Sequence, residues 1–145
     1  MSETGFAAFR AALEAGRGGI VVRERVADLD TPVGAFLKLT GGAPDLVWRC
    51  RDGRPEINRH ALSAPHGFVA EDGPALESLR RLIAECRMPM PAGLPPMAAG
   101  LFGYLGYDMV RQIEKLPATN PDVLGIPEAV LTRPTLMAVF DHVRD

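Results

Sequence analysis

The sequence predicts an α+β fold, a mostly antiparallel sheet with helices packed on one face, and three observations carry that reading. The first is the alternating stretch from Leu46 to Asn58 centred on Asp52-Gly53, a dipeptide that accepts the positive φ values of a tight hairpin turn. The second follows Pro74, where Leu76, Leu79, Leu82, Ile83 and Cys86 form an apolar stripe at helical spacing opposite Arg80, Arg81 and Glu85. The third is the stretch from Met97 to Arg111, whose glycines at 100, 103 and 106 interrupt an otherwise apolar strand. Glycine weakens a strand interior, so it is kept where the backbone bends or where another element approaches closely.

The other elements follow in order. Phe6, Phe9 and Leu13 recur at helical spacing, and Gly16 sits where a C-terminal cap belongs. Ile20 to Asp28 is β-branched and partly alternating, which predicts a strand. Asp30 or Thr31 can cap a helix opened by Pro32, with Val33, Phe36, Leu37 and Thr40 on one face and Gly41-Gly42 as its stop. Residues 63–74 read as loop. The four prolines between 89 and 96 preclude a helix and suggest an extended crossing segment. Tyr107 to Leu116 turns helical until Pro117 ends it. The proline-rich stretch to 128 is loop, and one or two strands complete the chain. The expected sheet therefore gathers strands near 20, 46, 56, 100 and 137.

A chain of 145 residues with 47% hydrophobic content suits one compact domain. Its net charge of -2 gives no global field for nucleic acid or an anionic membrane. The apolar runs stop well short of the roughly 20 residues that span a bilayer. The acidic N-terminal stretch is unlike a signal peptide, so a cytoplasmic location is expected. Cys50 and Cys86 fit buried or free thiols better than a disulfide frame.

Chemistry-bearing constellations are sparse. The G-x-x-G-x-x-G spacing lacks the G-x-G start of a dinucleotide fingerprint and the G-K-[ST] of a phosphate loop. His60, His66 and His142 have no metal-ligand spacing with either cysteine and read as surface or loop histidines. Ser2, Ser63 and Ser78 fall in terminal, loop and helix-surface contexts, with no nucleophile elbow. Asp28 and Asp30 read as capping acids more readily than as paired catalytic carboxylates. Tyr104 and Tyr107 read as core filling beside the strand glycines. No catalytic residue and no metal ligand is assigned from the residues.

The stretch AAGLFGYLGYDMVRQIEKLP, followed by NPDVLGIPEAVLTRPT and AVFDHVRD, resembles the N-terminal domain of anthranilate synthase component I. ADLDTPVGAFLKL and PDLVWRCRDGRPEINR resemble earlier blocks of the same domain in the same order. The related aminodeoxychorismate synthase component I shares weaker versions of these blocks, and a free-standing binding module is a third reading. The resemblance implies part of an enzyme that makes anthranilate and pyruvate from chorismate and ammonia in tryptophan synthesis. Ammonia would come from a glutamine amidotransferase subunit, and L-tryptophan would act as feedback inhibitor. Magnesium and chorismate would be held by a C-terminal catalytic domain whose blocks are absent here, so this chain alone is expected to be inactive. Of the family's tryptophan-site residues, the helix-start proline maps onto Pro32, which serves equally well as a plain first-turn proline.

The resemblance also implies a missing piece. Gly42 runs straight into Ala43 where the family carries roughly two dozen residues, enough for two strands and a turn. Either the segment is deleted, or it is mobile and dropped out of the sequence. The second reading expects the Cα atoms of residues 42 and 43 to lie farther apart than the about 3.8 Å of a bonded pair. A final expectation is that the strand from Thr135 to Asp145 has an unpaired edge or meets another copy.

Overall fold

A computed structural model of the chain describes residues 3–24, 44–117 and 121–140. These fall into two compact units, residues 3–24, 86–100 and 136–140 in one and residues 44–85, 101–117 and 121–135 in the other.

In the first unit, helix α1 spans Glu3–Glu14. It closes as its sequence requires: Gly16 takes φ +67°, and the amides of Gly16 and Arg17 donate to the carbonyls of Leu13 and Ala12 at 2.9 Å each. The chain then returns close to the helix, and a Cβ on Gly19 would lie 2.9 Å from the Phe9 ring. Residues 20–24 form no strand, contrary to expectation, and the rest of that stretch, 25–28, lies outside the described residues. The β-branched run finds no partner ladder among the described residues of this unit, and a strand exists only when paired. The prolines at 89, 91 and 95 keep their segment out of α-helix, leaving one 3₁₀ turn at Pro96–Ala98.

The second unit is a five-stranded sheet with every neighbouring pair antiparallel. Its strands are β1 (Leu46–Arg51), β2 (Arg54–Asn58), β3 (Val69–Ala70), β4 (Phe102–Leu105) and β5 (Ala129–Arg133), in the order β3-β2-β1-β5-β4. The β1-β2 hairpin turns on Asp52 and Gly53 at φ +51° and +72°, with Arg51 opposite Arg54. In β1 the side chains of Leu46, Trp48 and Cys50 are buried, alternating with half-buried Val47 and Arg49. Helix α2 (Ala75–Glu85) packs on this sheet through Ala75, Ser78, Leu79 and Leu82. Ile83, expected on the buried stripe, is 44% exposed, because the buried face is rotated toward Ser78.

Two further expectations are corrected. The last strand of the sheet is Ala129–Arg133, and residues 134–140 form no strand: Pro134 has no amide to donate and ends the ladder. Residues 141–145 lie outside the described residues, as do residues 42 and 43 and the helix expected from Pro32. The helix expected after Gly106 is a 3₁₀ segment, Tyr107–Gln112, because the glycine before it supplies no side-chain cap and Pro117 limits its length.

Candidate functional site

Two groups of polar side chains in the sheet unit reach its buried core. The first begins at Trp48, fully buried at 0% exposure. Its indole Nε1 donates to Ser78 Oγ at 2.8 Å, and Ser78 Oγ donates in turn to Glu71. Glu71 lies 4.0 Å from Arg59, which forms a forked pair with Glu85 at 2.5 and 2.9 Å. Hydrogen bonding to Arg59 holds the Glu85 carboxyl below the usual carboxylate range, and the same bond raises Arg59 above its ordinary value. Asp45 pairs with Arg133 at 2.9 Å, joining the start of β1 to the end of β5. The chain of contacts runs from core to surface, and every acid in it accepts from a protein donor. It braces α2 against the sheet and presents no activated nucleophile.

The second cluster sits at the hairpin end. Cys50 is fully buried, and burial together with the nearby Glu128 carboxylate raises its thiol to about 11. Glu128 Oε1 accepts from the Gly53 amide at 3.3 Å, while the buried Oε2 has no hydrogen-bond partner among the described residues. A thiol held protonated in this way is a poor nucleophile, because the thiolate is the reactive form.

The glycines explain themselves by geometry. A Cβ on Gly103 would lie 1.9 Å from the Val130 carbonyl oxygen, and one on Gly106 would lie 2.9 Å from the Glu128 oxygen. Gly103 admits β5, and Gly106 the residue just before it, at a distance no side chain allows, the close approach expected of strand glycines.

The remaining candidates are scattered. His60 and His66 are exposed, as expected, and His142 lies outside the described residues. Asp28, Asp30, Pro32 and Ser2 also lie outside them, and Ser63 is exposed in a turn. Ser78, expected on the helix surface, is instead buried between Trp48 and Glu71. Tyr104 and Tyr107, expected as core filling, are 43% and 85% exposed, because β4 is an edge strand and the 3₁₀ segment leaves the sheet beyond it. Among the described residues no three His, Cys, Asp or Glu side chains gather as metal ligands, and no helix is long and apolar enough to cross a membrane. Sequence reading missed Ser78, Glu71 and Glu128. Only Glu128, an acid directly before a β-rich run, carried any local signal.

No protein-family model matches the chain. Curated relatives do. It is 47% identical, over 97% of its length, to anthranilate synthase component 1 of Cereibacter sphaeroides. The resemblance to anthranilate synthase component 1 is borne out. The component 1 of Thermus thermophilus is 37% identical over 83% of the chain, and that of Mycolicibacterium smegmatis 32% over 92%. The chain spans about a third of these proteins, 33%, 29% and 29% of their lengths respectively. The strands, the glycine-bearing edge and the Trp48 core described above therefore lie in the stretch that is similar to about a third of anthranilate synthase component 1.

Proposed function

We propose that this chain is the N-terminal regulatory and docking part of an anthranilate synthase component I. The complete protein would convert chorismate and ammonia to anthranilate and pyruvate, a lyase step in tryptophan biosynthesis. The observation that carries the reading is the 47% identity over 97% of the chain, set against coverage of only 33% of the relative. Substrate chemistry would then belong to the remaining two thirds. The family resemblance assigns magnesium to that remainder, and no chemical step is routed through this chain. The internally bonded carboxylates and the protonated Cys50 thiol agree with a scaffolding role. Glutamine would supply ammonia through an amidotransferase subunit, the second component implied by the relatives' name.

We also assign tryptophan feedback to this part, with Pro32 in the effector site. The alignment with the Cereibacter relative covers 165 positions against a chain of 145, so at least 20 positions of the relative have no counterpart here. That supports a missing internal segment, whose place between residues 42 and 43 comes from the family resemblance alone.

Complementation tests the reading. In a bacterial strain lacking component 1, the protein encoded by the whole reading frame restores growth without tryptophan, whereas the 145-residue chain does not. Growth rescued by the 145-residue chain, or no rescue by a well-expressed longer protein, contradicts it.

A further inference from the structure

Strand β4 closes one side of the sheet, and among the described residues nothing pairs with its outer edge. The opposite edge, β3, is blunted by brevity, at two residues. In contrast β4 reads Phe-Gly-Tyr-Leu, with no charge, no proline and all four residues exposed. Soluble proteins normally guard an edge with lysine, proline or a covering element, because unpaired amides and carbonyls recruit another strand.

The register shows which groups are free. The Gly106 amide donates to the Glu128 carbonyl at 2.7 Å, and the paired positions alternate from there along β4 and β5. Tyr104 and Phe102 thus share hydrogen-bonded pairs with Val130 and Thr132, and the amides and carbonyls of Gly103 and Leu105 turn to the open edge. Exposed apolar side chains also recur in the sequence that follows β4. Leu105 is 57% exposed, Ile113 74% and Val123 84%. Isolated apolar residues on a surface need no explanation, whereas an apolar strand whose edge has no partner among the described residues marks an interface.

The geometry points to β4 as the seam at which the sheet continues into a strand supplied by the rest of the same, longer protein. This rests on the reading that the chain is part of an anthranilate synthase component I. The occupant follows from length: relatives that match nearly all of this chain are about three times as long, as its 33% coverage shows. That leaves ample chain to provide both a strand and an apolar cover.

Residue-resolved hydrogen exchange of the full-length protein tests the seam. Gly103 and Leu105 amides are expected to exchange about a hundredfold or more slower than open amides, approaching the central-strand amides of Trp48 and Cys50. In the 145-residue chain the same two amides are expected to exchange freely while Trp48 and Cys50 stay protected. Fast exchange at Gly103 and Leu105 in the full-length protein overturns the proposal. So does slow exchange in the 145-residue chain, which places the cover within these residues, or protection that vanishes on dilution, which assigns the edge to a second copy. A reading frame that stops at Asp145 overturns it as well. None of these readouts depends on catalytic turnover, so the seam can fail while the functional reading stands, and a protected seam in a protein without anthranilate synthase activity leaves only the function refuted.

Discussion

Replacing Gly103 by alanine tests the close approach of β4 and β5 most sharply. The new methyl would sit 1.9 Å from the Val130 oxygen and 2.9 Å from its carbonyl carbon. Ordinary carbon-oxygen contacts lie at about 3.3–3.6 Å, so β4 must retreat by more than about 1 Å. The obstacle is backbone of the neighbouring strand, which cannot rotate aside. A retreat on that scale breaks the ladder along Phe102–Leu105, and with about 1 kcal/mol net for each of roughly three hydrogen bonds the loss is about 3 kcal/mol. Gly125→Ala is the control: its φ is +60° with nothing within 4 Å of the added methyl. Left-handed strain alone costs it about 1 kcal/mol. The chain has one tryptophan, buried Trp48, so urea unfolding followed by its emission reports the stability of the sheet unit directly. Equal losses for the two variants would refute the argument.

Two other outcomes are expected. Ser78→Ala strands the buried Trp48 indole donor, costing about 1–3 kcal/mol and shifting its emission; a loss under about 0.5 kcal/mol would mean the bond is dispensable. Cys50 has its thiol raised from 9.0 to about 11, so the unfolded chain loses its proton first. Stability from this group is therefore intact below pH 9 and falls as pH rises toward about 11, at about 1.4 kcal/mol per pH unit. Subtracting the profile of Cys50→Ala isolates that slope, and a flat difference would contradict the burial argument.

Much of the sheet unit was legible from local chemistry. Asp52-Gly53 announced its hairpin because few dipeptides accept two positive φ values, and α2 announced itself through a periodic stripe. The strand glycines could be read as sites of close approach, although the partner, β5, lies more than twenty residues onward. What failed depended on distant partners. Ile20 to Val22 has strand-forming side chains but no ladder among the described residues. Ser78 looked like a surface serine because nothing nearby in sequence shows that Trp48, thirty residues away, needs an acceptor. Tyr104 and Tyr107 looked like core because the strand's position at the edge is a property of topology, which local hydrophobicity does not encode. The candidate effector residue Pro32 lies outside the described residues, and resemblance alone supplied it.

The most direct test of the functional account is the product made by the protein encoded by the whole reading frame. Incubated with chorismate, magnesium and ammonium, it should release anthranilate, seen by its fluorescence, and pyruvate, seen by a coupled dehydrogenase, in equal amounts. Formation of an aminated chorismate without pyruvate release would instead place the chain in the aminodeoxychorismate branch and contradict the assignment.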